Sequence, residues 1–226
     1  MILNRLGDKS AIALKVQAHF PPHDAYFEPF FGAGGMFFNK PKAKFNFLND
    51  ADKDVYNLFR VAIDQTEELI RLVEIAPAHE AQFKEWGKGR QEATPVLQAL
   101  RFLWLSNFGL YGKQNNMRMG LVDPRGQILA NIDGTLRYMA NAYFTCADFR
   151  DFFRRLDYRG GQDNDRCFVY CDPPYLGTDN NYASGFTEQD SRDLFDVLEA
   201  SGLRWAMSEF DHPFILGEAA ARGLNV

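Results

Sequence analysis

Ala25-Tyr26-Phe27-Glu28-Pro29-Phe30-Phe31-Gly32-Ala33-Gly34-Gly35-Met36 is the stretch that decides the fold. Its apolar first half reads as a strand over Ala25 to Phe30, the glycines as a turn, and Met36 as the approximate start of a helix that Pro41 breaks. A second strand over Phe45 to Leu48 and a helix from about Asp52 complete a βαβ unit, which implies a parallel sheet. Glycine between strand and helix lets a ligand approach the backbone closely. The spacing is Gly32-x-Gly34-x-x-Phe37, however, with phenylalanine where close helix packing calls for a third glycine, and no Walker lysine follows. A pyrophosphate is therefore not favoured. Asp50 stands 18 positions after Gly32, at the carboxyl end of the second strand, where a carboxylate accepts from ribose hydroxyls. The other reading of Asn49-Asp50 is a plain helix cap. Taken with the glycine loop, it points to a nucleoside-containing cofactor.

Working outward, residues 66–107 read as helical, with Leu69, Leu72 and Val73 on one face and Leu97, Leu100, Leu103 and Trp104 on another. Residues 120–129 contain Asp123-Pro124-Arg125-Gly126 between short apolar arms, which suggests a β-hairpin with Arg125 at its tip. Regular α/β character then resumes. A strand is expected over Tyr143 to Cys146, a helix over Phe149 to Leu156, and a strand over Cys167 to Cys171. Thr187-Glu188-Gln189-Asp190 opens a helix as a capping box, Gly202 closes it, and Leu203 to Ser208 is the next strand. Gly223 to Val226 reads as the start of another strand, so the sheet is expected to lack its final strands here. The expected division is a Rossmann-like α/β domain over 1–62 and 138–226, with a mostly helical insert carrying the hairpin over 63–137.

The strand Cys167-Phe168-Val169-Tyr170-Cys171 runs directly into Asp172-Pro173-Pro174-Tyr175. Proline fixes φ and removes a backbone donor, leaving nearby carbonyls as acceptors. A carboxylate and a carbonyl can accept from one exocyclic amine while an aromatic ring stacks on its heterocycle, so the tetrapeptide suits adenine. Alone it also reads as a stiff turn capped by an aspartate.

The bulk properties narrow the class. With 226 residues, 46% hydrophobic and 15% aromatic, the chain can bury a sizeable core. It contains no apolar run near the roughly 18 residues of a membrane helix, and its start lacks a signal-peptide core, so a cytoplasmic protein is expected. Cys146, Cys167 and Cys171 fit reduced thiols, and the scattered His19, His23, His79 and His212 form no tetrahedral set, so no metal is expected. A net charge of −5 argues against nonspecific coating of nucleic acid. The charge is uneven, however: Lys84 to Arg137 holds eight basic against four acidic residues, or +4, leaving −9 elsewhere. That basic face suits DNA or is simply solvated.

Six motifs occur together in one order: Leu6-Gly7-Asp8-Lys9, Glu28-Pro29-Phe30-Phe31-Gly32-Ala33-Gly34, Asn49-Asp50, Asn107-Phe108-Gly109-Leu110-Tyr111-Gly112, Phe144-Thr145-Cys146-Ala147-Asp148-Phe149, and Asp172-Pro173-Pro174-Tyr175. In this the chain resembles the Dam-type (D12) DNA adenine-N6 methyltransferases over most of its length. The resemblance implies S-adenosylmethionine as cofactor. Lys9 would lie near its carboxylate, Phe31, Gly32 and Gly34 beneath its methionine part, Asp50 on its ribose, and Asp148 or Phe149 near its adenine. Asp172 is counted with this set, as is Arg5, which stands where relatives often carry an aromatic. Asp8 stands where they commonly have a small or uncharged residue. Asp172, Pro173, Pro174 and Tyr175 would hold a flipped-out target adenine in duplex DNA, its amine turned to present a lone pair to the sulfonium methyl. Lys113, Asn115, Asn116, Arg118 and Arg125 would contact phosphates and base edges. A monomer is expected, with a cognate restriction endonuclease as a candidate partner. The alternatives are the same fold acting on a protein glutamine or small heterocycle, and a catalytically silent DNA-binding relative.

Overall fold

The computed structural model describes residues 1–5, 7–89, 91–110, 116–156, 163–177 and 185–226. The chain forms two compact units, one of Met1–Ala18, Gly32–Lys42 and Asp52–Ala142, the other of His19–Phe31, Ala43–Ala51 and Tyr143–Val226. The first contains residues 63–137 together with the glycine loop and the N-terminal segment.

The second unit is built on a parallel sheet of β1 (Ala25–Glu28), β2 (Phe45–Asn49), β3 (Ala142–Thr145), β4 (Cys167–Cys171) and β5 (Arg204–Met207), in the order β3-β2-β1-β4-β5. Alternation along the strands sorts the faces. Ala25 and Phe27 of β1, with Cys167, Val169 and Cys171 of β4, pack against Phe149, Phe152 and Phe153 of α7 (Phe149–Arg154) and Leu194 and Leu198 of α8 (Glu188–Ser201). Tyr26, Phe168 and Tyr170 take the opposite face beneath Phe20, whose ring centroid lies 4.5 Å from that of Phe168. β4 is buried at every position, as an apolar strand inside a parallel sheet must be. Across three strands Phe27, Phe47 and Tyr143 stack in a ladder with centroids 4.9 and 5.0 Å apart. The expected capping box opens α8, and Gly202 closes it at φ +65°. Leu224 to Val226 do not form a strand. α9 (Pro213–Ala221) ends in a Schellman closure, with Gly223 at φ +67° and the Leu224 amide donating to the Ala219 carbonyl at 2.9 Å.

The first unit is helical. Besides the short α1 (Ala13–Gln17) it contains α2 (Lys53–Asp64), α3 (Thr66–Ile75), α4 (Glu80–Gly87), α5 (Pro95–Phe108) and α6 (Pro124–Met139). α5 is buried at every position from Ala99 to Phe108 and packs against α2, α3 and α4. Two of its buried polar side chains find carbonyl partners: Arg101 donates to the Trp86 carbonyl at 2.9 and 2.7 Å, and Asn107 to the Ile2 carbonyl at 3.1 Å. Two expectations need correction in this unit. Met36 does not start an α-helix: Phe37–Asn39 makes one 3₁₀ turn, because Lys40, preceding Pro41, is extended. Residues 120–129 do not form a hairpin. Asp123 accepts from the Gly126 amide, Pro124 supplies a preset φ at the first helical position, and α6 follows. Among the described residues an antiparallel bridge occurs earlier, between Gly109 and Met117. Among the described residues no helix is long and apolar enough to cross a membrane.

Candidate active site

The strand order reverses direction between β1 and β4, the point where open parallel sheets bind ligands beyond their carboxyl ends. Because the strands are parallel, the segments leaving β1, β2, β3, β4 and β5 emerge at one edge. They are Pro29-Phe30-Phe31, Asp50, Cys146-Ala147-Asp148, Asp172-Pro173-Pro174-Tyr175 and Ser208-Glu209-Phe210.

Asp172 is half-buried, and the Tyr175 hydroxyl donates to its Oδ1 at 2.8 Å. The Tyr175 ring is braced edge-on by Phe210, with centroids 4.6 Å apart at 68°. Burial, then the Asp172 charge, raises the Tyr175 hydroxyl far above the ordinary tyrosine value, so it remains a donor. Tyr170 shares a 2.7 Å hydrogen bond with the Ser208 hydroxyl and is likewise raised, first by burial. Cys171 is fully buried, which with the Asp172 and Glu28 charges keeps it a thiol. Glu28, 2% exposed, accepts from the Tyr26 hydroxyl at 2.9 Å. This half of the site thus offers fixed acceptors beside aromatic rings. Ser208, Glu209 and Phe210 were not singled out from the sequence; the expected strand Leu203 to Ser208, parallel to β4, was the signal for them.

Asp50 is buried at the end of β2, and its amide donates to the Thr145 carbonyl at 3.2 Å. Phe31 is buried with its ring 5.1 Å from that of Phe144. Asp148 caps α7 through the Arg150 amide at 2.9 Å and pairs with the Arg150 guanidinium at 3.1 Å. Arg150 also reaches Asp190 at 2.6 Å and Asp193 at 2.7 Å, and lies 4.3 Å from the centre of the buried Phe149 ring.

The helical unit contains the remaining candidates. Gly32 and Gly34 have φ of +55° and +77°, which side chains rarely adopt. Among the described residues nothing lies within 4 Å of where a Gly32 Cβ would stand, so the loop leaves room there. At Gly35 the reverse holds: a Cβ would meet Asp8 Oδ1 at 1.9 Å and the Lys9 and Ser10 nitrogens at 2.9 Å. The Asp8 side chain therefore fills the space that Gly35 leaves. Lys9 Nζ donates to the Gly7 carbonyl at 2.9 Å, and Arg5 pairs with Asp52 at 3.0 Å above the Phe102 ring.

Of the residues expected to touch DNA, Lys113 and Asn115 lie outside the described residues. Asn116 and Arg118 sit beside the Gly109–Met117 bridge, with the Arg118 amide donating to the Phe108 carbonyl at 2.7 Å. Arg125 stands in the first turn of α6 rather than at a hairpin tip. Its guanidinium donates to the Ala76 carbonyl at 2.5 Å and lies 5.9 Å from the Trp104 ring centre.

Residues 6–223 match the family described as D12 class N6 adenine-specific DNA methyltransferase. The chain is 27% identical to the DNA adenine methylase of Escherichia coli K12 over 213 residues, covering 85% of this chain and 73% of that protein. It is 30% identical to the retron Ec67 DNA adenine methylase of Escherichia coli over 212 residues, covering 88% and 72%. For a DNA adenine methylase of Vibrio cholerae serotype O1 the identity is 28% over 211 residues, covering 85% and 73%. With the match extending over nearly the whole sequence and a parallel sheet that ends in Asp172-Pro173-Pro174-Tyr175, this chain belongs to the D12 class of N6 adenine-specific DNA methyltransferases.

Proposed function

We propose that this chain transfers a methyl group from S-adenosylmethionine to N6 of an adenine flipped out of duplex DNA. Family membership implies a methyl donor and a DNA substrate. The observation that carries the finer reading is the Asp172 carboxylate, fixed by the Tyr175 hydroxyl at the strand reversal. Its second oxygen accepts an N–H of the target amine, which favours a pyramidal nitrogen, and the negative charge steadies the cation developing there. The Pro173 carbonyl takes the other N–H. The Tyr175 ring stacks on the base, and Pro174 stiffens the turn. Extruding the base costs a few kcal/mol, which stacking and backbone contacts offset.

Gly32, Gly34, Phe31, Lys9, Asp50, Asp148 and Phe149 hold the donor, and Asp172 borders it. The buried Asp50 carboxylate suits a ribose hydroxyl, and the glycine loop at Gly32 suits close approach of a ligand to the backbone. When bound, S-adenosylmethionine supplies an electrophilic sulfonium methyl. Arg5, paired with Asp52, is counted with this set. Residues 63–137 form the recognition segment within the helical unit, with Lys113, Asn115, Asn116 and Arg118 facing DNA and Arg125 serving its packing. A cytoplasmic monomer, working alone or beside a cognate restriction endonuclease, completes the reading; three free thiols support a reducing compartment.

The test is transfer of labelled methyl from S-adenosylmethionine to unmethylated duplex DNA, followed by nucleoside analysis. N6-methyladenine in the digest is the expected product. Donor binding without transfer to DNA would shift the reading to another planar amine or to a silent relative.

A further inference from the structure

We infer that Asn49 is a positioning residue that holds together the three segments bordering the donor pocket, an inference resting on the proposed role of Asp50, Phe31 and Asp148. An asparagine amide has two donor and two acceptor positions, and here all four are used. Nδ2 donates to the Pro29 carbonyl at 3.0 Å and to the Ala147 carbonyl at 2.9 Å. Oδ1 accepts from the Thr145 hydroxyl at 2.7 Å and from the Ala147 amide at 3.1 Å. The Ala147 amide can only donate, which fixes the orientation of the Asn49 side chain. The Asn49 main-chain carbonyl also accepts the Phe31 amide at 2.9 Å. The side chain is completely buried.

Each tied segment is continuous with a residue assigned to the donor. Pro29 and Phe31 lead into Gly32, Asn49 into Asp50, and Ala147 into Asp148 and Phe149. No other side chain of this size reproduces the pattern. Aspartate lacks both donors, leucine lacks all four groups, and glutamine is one methylene too long. Asn49 touches no reacting atom; it acts by fixing where three strand ends stop.

The test compares Asn49→Asp, Thr145→Val and Asp50→Ala. Calorimetric titration with S-adenosylhomocysteine is read beside thermal melting, DNA affinity and steady-state kinetics. Asn49→Asp keeps the shape but turns an acceptor toward the Pro29 and Ala147 carbonyls. Its Kd for S-adenosylhomocysteine and KM for the donor should rise about 10- to 100-fold, with kcat at saturating donor and DNA affinity changed less than about threefold. Thr145→Val removes one of the four bonds while preserving volume, and should give about a two- to fivefold rise in the same direction, which decides the matter if Asn49→Asp does not fold. A lowered melting temperature with unchanged affinity in both variants, while Asp50→Ala weakens binding, would overturn the inference and leave the pocket standing. Unchanged affinity in all three would overturn the pocket itself.

Discussion

Replacing Asp172 by asparagine, alone and together with Tyr175→Phe, gives a sharp test of how the target amine is held. In the parent protein the Tyr175 hydroxyl donates to Oδ1 of Asp172 at 2.8 Å, and the proposed mechanism assigns the adenine amine to Oδ2. In Asp172→Asn the single amide oxygen is claimed by that hydroxyl, so the amide nitrogen turns toward the substrate and a donor meets a donor. The lost interaction is a hydrogen bond to a charged acceptor, worth about 1.5–3 kcal/mol, so kcat should fall roughly 10- to 200-fold. Tyr175→Phe keeps the stacking ring and its edge contact with Phe210. Water replaces the lost hydroxyl at the half-exposed carboxylate, so that variant alone should lose about two- to fivefold. In the double variant the amide oxygen is released and can accept the amine proton as a neutral hydrogen bond. The double variant should therefore be about two- to tenfold faster than Asp172→Asn, a coupling opposite in sign to simple additivity. Single-turnover methylation of a defined duplex at saturating donor reads the chemical step directly. A double variant no faster than Asp172→Asn would refute the assignment of the two carboxylate oxygens. An Asp172→Asn enzyme with the parent rate would refute the role of the carboxylate altogether.

Other consequences concern the frame around this site. Gly35→Ala drives a Cβ into Asp8 Oδ1 and the Lys9 and Ser10 nitrogens, so it should destabilise the protein by about 1–3 kcal/mol by thermal melting. Adding Asp8→Ala should restore only part of the loss, since the two backbone atoms remain. Arg118→Ala should weaken DNA binding and lower the log–log salt slope by about 1, whereas Arg125→Ala should reduce the melting temperature and leave the slope unchanged. Arg150→Ala should lower stability in a pH-dependent way. Burial alone would raise Asp190, but hydrogen bonds from Thr187 and Arg150 outweigh it; Asp193 is held low by Gln189 and Arg150. Carboxylates depressed in the folded state contribute stability that is complete above their ordinary value of 3.8 and disappears as the pH falls through the folded values. The melting difference from the parent protein should accordingly be full at neutral pH and shrink below about pH 4, and a difference that persists in acid would refute this account.

Much of the sheet was legible in the sequence because its signals are local. β1, β2 and β4 show as apolar runs, the Thr187–Asp190 box opens α8, and Gly202 ends it. The misread elements were those in which two local rules compete. Asp123-Pro124-Arg125-Gly126 satisfies both a turn and a capped helix start, and burial of Ile128, Ile132 and Met139 along α6 settles the contest for the helix. Met36 begins an apolar stretch, yet Pro41 lies too close for more than one 3₁₀ turn to form. The Asp123 reading also misplaced Arg125, whose side chain turns inward to Ala76 and Trp104.

By itself, the sequence determined the chemistry at three strand ends: glycines after β1 where the backbone must be left bare, a carboxylate after β2, and an acidic, proline-locked, aromatic tetrapeptide after β4. These follow from residue type and position along a single strand. Only the tertiary structure decided which atoms meet. That Asn49 spends all four amide positions on Pro29, Thr145 and Ala147, that Tyr175 binds one particular oxygen of Asp172, and that Phe210 braces Tyr175 each depend on strand order and register. Asn49 and Ala147 are 98 positions apart in the chain, and a hydrogen bond across that distance exists only once β2 and β3 lie side by side.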